Sequence, residues 1–483
     1  MRSSLSTAET ASSESGSHIP DSLPFSALIP ALSFALDLTK GRPKGHVLRS
    51  CVIGMRIGVR AHLSQEMLSH LYSALLLKDV GCRGNSSQAP DTLALNRYPF
   101  TLAEASPAGI GLSAGDRDAR KQAHAGCLSW GWAQPLPADS TSFSDSCEFN
   151  SFETSANLPC ERAARIARDL GLPFEVSEAI YQADERWDRV ESPQDIPAEE
   201  ISLLARIIRI AQTLDIAVER YGPITAIDLV SRRYSRGFDT SLVAASNLLH
   251  DQRELWKDLQ SPEILSHVIE LAPERNRQSP NIFLVDNICL AFAEVVDAKS
   301  PFTFTHSTGV ATTASAIAKV MGVGEYDAKL LERAALLHDI GKLGVPNTIL
   351  EKPGKLTSRE WQSIYKHPRY TREILDKIPG FEEIAEVAAA HHEKLDGSGY
   401  PRGLHGSELS LLARILTVAD IYDALSSYRP YRQKLRCAEV LKLMQNDSPR
   451  ALDQSCMDAL AVAIHTVFIG KPSRRTVKDT GSD

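Results

Sequence analysis

Seven imidazole and carboxylate side chains follow one another in the C-terminal part of the chain. They are His306, the pair His338-Asp339, His367, the pair His391-His392, and Asp420. Imidazole and carboxylate are the ligands favoured by Mn, Fe, Zn and Ni class ions. A tetrahedral ion needs four ligands, so seven groups suit two ions with one carboxylate bridging. Asp339 is the natural bridge, because its neighbour His338 can ligate from the adjacent position. Two ions about 3.5–4 Å apart can hold a hydroxide and clamp a phosphoryl group during in-line displacement. A single helical histidine is ordinarily a core or surface residue, so the ordered set carries the reading.

These groups need elements to position them. KLLERAALLHDIGK reads as an apolar helix stopped at Gly341, which puts His338 and Asp339 in its last turn. Lys342, three positions after Asp339, can pair with a phosphate. Thr357-Ser358-Arg359-Glu360 has the capping-box pattern and opens the next helix, with His367 at its end before Pro368. EIAEVAAAHHEK is a third helix, delivering His391 and His392 at its C-terminal end. DGSGYP then forms a loop in which Gly397 and Gly399 permit tight backbone geometry. Asp420 and Asp423 share a helix face at i, i+3 spacing.

The frame around them is ordinary. The chain has 483 residues, 43% hydrophobic and 23% charged, which excludes disorder of the whole. A net charge of −7 argues against direct DNA binding through a basic face. No stretch reaches the roughly 20 apolar residues of a membrane span. The polar, Ser-rich N-terminus is not a secretory signal, so the expected compartment is the cytoplasm. Apolar residues recur at three- and four-residue spacing and β signals are scarce, so the class is all-α. The expected organisation is a tail over 1–23, a helical domain over 24–249 with a low-complexity insertion at 83–157, and a connector over 250–280. A second helical domain follows over 281–468, then a tail over 469–483. Ser261-Pro262 reads as a helix start in the connector. Cys127, Cys147 and Cys160 match no zinc spacing and read as unpaired thiols.

The two helical domains are copies of one another. SALLLKDVGC matches RAALLHDIGK, placing Asp79 on Asp339; the same offset carries His46 onto His306 and Asp37 onto Asp297. ADERWD matches HHEKLD, SLLARIIRIAQTLD matches SLLARILTVADIYD, and GFDTSLV resembles ALDQSCM. The first copy is degenerate. Lys78 replaces His338, Cys82 replaces Lys342, Ala183 and Asp184 replace His391 and His392, and Gln212 replaces Asp420. His46 and Asp79 alone cannot hold a two-metal centre, so the first copy is expected to be a regulatory or dimerising domain without catalysis.

HDIGK, KHP, HHEKLDGSGYP, RILTVADIYDAL and RPYR stand in the order and spacing of the HD-GYP domain. The second copy resembles that family of the HD phosphohydrolase superfamily. The resemblance implies tandem HD-type helical bundles and a metal-dependent phosphodiesterase that hydrolyses cyclic di-GMP to a linear dinucleotide or GMP. It implies His306, His338, Asp339, His367, His391, His392 and Asp420 as metal ligands. It matches Lys342, Arg429 and Arg432 to phosphate contacts and Tyr400 to the tyrosine beside the substrate. Members with three metals carry a Glu where this chain has Phe302, so two divalent ions, Fe or Mn, are expected. Rival readings are an HD phosphohydrolase of another nucleotide, and a cyclic-dinucleotide sensor or scaffold. The GYP loop is also a candidate contact for a GGDEF-type cyclase.

Overall fold

The computed structural model describes residues 23–37, 45–81, 159–189, 194–233, 237–277, 282–299, 305–352, 354–427 and 435–465. The expected insertion, Phe302, Arg429, Arg432, Cys82, Cys127, Cys147 and the terminal tail lie outside them. The described residues are helices and turns, with one isolated bridge between Asp396 and His405. None of these helices is long and apolar enough to cross a membrane. The all-α class is what the apolar periodicity required.

The first copy contains α1 (Phe25–Asp37), α2 (His46–Arg60), α3 (Gln65–Leu77), α4 (Pro159–Asp169), α5 (Phe174–Tyr181), α6 (Leu203–Tyr221), α7 (Pro223–Asp228) and α8 (Thr240–Asn247). Three short helices follow, α9 (Arg253–Asp258), α10 (Ile264–Glu270) and α11 (Glu274–Arg277). The second copy begins with α12 (Ile282–Asp297), α13 (His306–Met321), α14 (Glu325–Leu337) and α15 (Asn347–Leu350). It continues with α16 (Ser358–Ile364), α17 (His367–Leu375), α18 (Glu382–Ala389), α19 (Leu411–Ser426), α20 (Cys437–Gln445) and α21 (Gln454–Ala463).

The repeat seen in the sequence recurs in bonds. Asp37 accepts from Val47 N at 3.2 Å, and Asp297 accepts from Ser307 N at 3.0 Å. Glu185 accepts from the amides of Gln194 (2.7 Å) and Ile196 (3.3 Å), as Glu393 does from Arg402 (2.7 Å) and Leu404 (3.0 Å). Asp239 and Asp453 cap α8 and α21, and each takes a guanidinium, from Arg206 at 2.9 Å and Arg414 at 3.1 Å. Such a cap is worth about 1 kcal/mol. Buried polar groups of this kind must be paired, so they persist in both copies with the apolar pattern.

The stretch expected as a connector is helical and packed. Leu255, Val268 and Ala272 are buried; Tyr72 Oη donates to Val268 O at 3.1 Å and Asn276 Nδ2 to Ser73 Oγ at 3.0 Å. Its central helix opens at Ile264, two residues beyond Pro262, while Ser261 Oγ accepts from Glu263 N. One hydrophobic core runs through both copies. Helix α1 of the first copy packs on α17 and on the 3₁₀ turn Ile340–Gly344, both in the second. Lys377 Nζ lies 5.4 Å from the centre of the Phe34 ring across the same junction.

Candidate metal centre

Helix α14 ends at Leu337, four residues before the expected stop. His338 follows in helical geometry, Asp339 breaks it at φ −94° and ψ 4°, and the 3₁₀ turn Ile340–Gly344 takes over. The reason is a close approach. The Gly341 amide donates to Thr371 Oγ1 at 3.0 Å, and Thr371 Oγ1 donates to His338 O at 2.8 Å. A Cβ at Gly341 would run into the His367 carbonyl and the Thr371 amide. Gly341 thus lets the turn lie against α17. From the other side Lys299 Nζ donates to Lys342 O (2.8 Å) and Leu343 O (2.6 Å).

His367 also differs from its expected place. The capping box at Thr357 and Glu360 is present, but α16 stops at Ile364 and His367 opens α17, with Pro368 in its first turn. Proline has no amide to donate and is tolerated there. His391 and His392 stand just after α18, in the turn beyond Ala389.

Three histidines are fixed in the same way. Nδ1 of His338 lies 2.8 Å from Ala335 O, Nδ1 of His367 2.7 Å from Ile364 O, and Nδ1 of His391 2.7 Å from Ala388 O. A carbonyl only accepts, so each Nδ1 carries its hydrogen and in the neutral ring Nε2 keeps the lone pair. His306 is held by a carboxylate instead, its Nδ1 2.7 Å from Asp423 Oδ2. This orienting partner behind a ligating ring is a device of metal sites.

The Nε2 atoms converge on Asp339. Oδ2 lies 3.3 Å from His338 Nε2 and 3.7 Å from His306 Nε2. Oδ1 lies 3.3 Å from His367 Nε2 and 3.8 Å from His391 Nε2. Asp420 spans the same divide, with Oδ1 3.2 Å from His306 Nε2 and Oδ2 3.6 Å from His392 Nδ1. Ligand atoms about 2.1 Å from one ion stand about 3–3.5 Å apart, so these separations are edges of coordination polyhedra. The clusters His306/His338/Asp339, His338/His391/Asp420 and His367/His391/His392 each could hold an ion. His338 Nε2 and Asp339 Oδ1 are buried with no hydrogen-bond partner. Such orphaned atoms are costly in a low-dielectric interior, and a cation beside each removes the cost. The residues present therefore fit a two-metal group.

The electrostatics agree. Burial opposes charge on Asp339, yet the cations of His338 and Lys342 hold it well below the usual carboxylate range. Burial would lower His306, but hydrogen bonds to Asp420 and Asp423 push it up to about 10. Burial, followed by the neighbouring imidazoles, holds His391 well below its ordinary value; burial takes His392 to about 3. A ligating imidazole must be neutral, and these two already are.

Lys342 Nζ pairs with Asp339 Oδ2, and its side chain is a quarter exposed at the rim. Glu393 fixes the DGSGYP loop through the two amides named above. Gly399 lies on this turn, where a Cβ would stand 2.5 Å from Glu393 Cα. Tyr400 N donates to His392 O at 3.1 Å, and its ring centre lies 4.7 Å from that of His392. Asp423, Glu393, Thr371 and Lys299 were not foreseen as supports. Asp423 and Glu393 had a signal, since Asp215 and Glu185 occupy the matching places in the first copy.

In the first copy a cation occupies one matched ligand position and two more stand close by. Lys78, at the His338 position, is buried and paired with Asp79. His46 still meets Asp215, at 2.6 Å, and Arg49 adds a second bond to that carboxylate at 2.6 Å. Arg209, also buried, donates to the carbonyl of Asp184 at the His392 position. Cys160 is a buried free thiol, which burial pushes up to about 11.

Comparison with known proteins agrees with the geometry. The HD domain family model matches residues 291–456. Over 450 residues the chain is 35% identical to the 3′3′-cGAMP-specific phosphodiesterase 3 of Vibrio cholerae, covering 92% of this chain and 95% of that one. A crystal structure of a cyclic GMP-AMP specific phosphodiesterase from V. cholerae matches with a TM-score of 0.61 at 32% identity, covering 92% of this chain and 98% of that one. The cyclic di-GMP phosphodiesterase response regulator RpfG of Xanthomonas campestris is 42% identical over 149 residues, 30% of this chain and 39% of its own. The chain belongs to the HD-GYP family and is a metal-dependent phosphodiesterase.

Proposed function

We propose that this chain hydrolyses a 3′3′-linked cyclic dinucleotide at two divalent ions, Fe or Mn, held in the second copy. The observation that carries the reading is the division of labour at Asp339. Oδ2 and Asp420 Oδ1, with His306 and His338, would hold one ion; Oδ1, with His367, His391 and His392, would hold the other. When bound, the ions supply a nucleophile at neutral pH and neutralise charge on the phosphoryl oxygens.

The chain's own residues do the rest. The i−3 carbonyls and Asp423 fix the orientation of the imidazoles, and ligation by His306, which Asp420 and Asp423 hold protonated, would release a proton. Lys342 offers an ammonium at the rim, three residues from the bridging carboxylate, where it would meet a non-bridging phosphate oxygen. Tyr400 walls the side next to His392. Arg429 and Arg432 remain assigned to phosphate by their motif. Lys78, a cation at a ligand position in the first copy, supports a non-catalytic role for it, and its α1 packs behind the second-copy residues that carry the chemistry.

Likeness over 92% of the chain to an enzyme named for 3′3′-cGAMP supports that substrate first. Likeness of part of the chain to enzymes named for cyclic di-GMP supports the second. The test incubates protein loaded with Mn or Fe with each dinucleotide and separates the products, beside Asp339→Ala. The expected result is turnover by the intact protein, fastest for 3′3′-cGAMP, and none by the variant. Failure with both dinucleotides and either metal would refute the proposal.

A further inference from the structure

Beyond Tyr400 the aromatic contacts continue outward. The Tyr365 ring centre lies 4.6 Å from that of Tyr400, and Trp361 stacks on Tyr365 at 5.6 Å with 28° between the planes. With His392 these rings form a ladder that starts at a proposed metal ligand and ends in solvent. Trp361 is 44% exposed and Tyr365 45%. Neither belongs to the hydrophobic core, and α16, which carries Trp361, buries none of its residues. That helix is held by polar bonds. Its capping box joins Thr357 and Glu360, and Lys352 Nζ bonds Glu360 Oε2 at 2.7 Å. A short helix with no core role, ending in two exposed but stacked aromatic rings beside a phosphodiester site, is built for a flat ligand group.

We infer that Trp361 and Tyr365 form a subsite for a purine base of the cyclic dinucleotide, an inference that rests on the function proposed above. A phosphodiester placed between the metal ligands and Lys342 leaves the nucleosides to extend along the rim. The ladder offers a face there on which a base can lie. Stacking of a base on an aromatic ring is worth about 1–3 kcal/mol and tolerates any base, since all have a π face. The subsite therefore adds affinity for the dinucleotide without choosing guanine over adenine.

The experiment compares kcat/KM for 3′3′-cGAMP and cyclic di-GMP with that for bis(p-nitrophenyl) phosphate, a diester without purines. Wild type, Trp361→Ala, Trp361→Phe and Tyr365→Ala are measured as metal-loaded full-length protein. Both alanine variants should lower the ratio of dinucleotide to nitrophenyl efficiency about five- to hundredfold, through KM and equally for both dinucleotides. Trp361→Phe should restore most of it. A ratio unchanged within twofold would overturn the subsite even if absolute rates fell, because misfolding lowers both efficiencies together. So would a loss confined to kcat. Wild-type protein that cleaves neither dinucleotide removes the parent reading and this one. Wild-type turnover with an unchanged ratio in the variants removes this one alone.

Discussion

His306 Nδ1 lies 2.7 Å from Asp423 Oδ2, and the carboxylate reaches it through the space a side chain at position 309 would fill. Asp423 therefore sets the tautomer and angle of a proposed ligand without touching the ion. Asp423→Asn keeps the shape but loses the charge. Metal affinity, measured by competition with a chelator, should fall about 10–100-fold. Unchanged affinity would reduce the pair to packing.

Gly309 is the other half of that arrangement. An added Cβ would run into the Asp423 carboxylate and stand 3.0 Å from its Cγ. Gly309→Ala should push Asp423 off His306 and copy the Asp423→Asn defect. Because both act on one contact, the double variant should be no worse than the poorer single one. Additive losses in chelator competition would contradict this.

Asp339 is proposed as the ligand shared by two ions, so Asp339→Asn should lose both together. Elemental analysis should find about two ions per wild-type chain and fewer than one in the variant. Loss of a single ion would mean that the carboxylate is not a shared ligand.

In the first copy Lys78→Ala should leave metal content unchanged. It should lower stability to urea by about 3–5 kcal/mol, the usual result of removing one partner of a buried ion pair. A rise in bound metal would show a site that the lysine had blocked.

Lys299 gives a dependence on pH. Burial is the main cause that lowers its ammonium, to about 7, against a weaker upward pull from Glu351. Between about 7 and the model-peptide value of 10.5 the unfolded chain carries the proton and the folded chain does not. Stability from this group must therefore rise with pH across that window and carry its full penalty below it. Lys299→Met, compared with wild type in urea at pH 7 and pH 9.5, should lose ground to wild type at the higher pH. A constant difference would refute the assignment.

Much of the site could be read in the chain because ligand types are unusual and their order is informative. His306, His338, Asp339, His367, His391, His392 and Asp420 are brought together as the motif spacing implied. Helix ends were less legible. Gly341 looked like a helix stop, but its missing side chain serves a contact with α17, which lies some thirty residues on. His367 was placed at the end of one helix because Pro368 resembles a breaker; the same proline is also at home in a first turn. The connector's packing was hidden for a similar reason. Leu255, Val268 and Ala272 are too widely spaced to signal burial, and the bonds of Tyr72 to Val268 and of Asn276 to Ser73 join residues some two hundred positions apart.

The contact of α1 with α17 and with the turn after Asp339 has a consequence for how the molecule melts. With one core through both copies, the halves of the duplication are expected to unfold in a single cooperative transition. Excising the first copy would strip apolar cover from the back of the catalytic half. Loss of activity in such a truncation would report missing support before it reported missing regulation. The first copy thus serves its neighbour as a wall, a role that needs its apolar helices and none of the metal-ligand side chains.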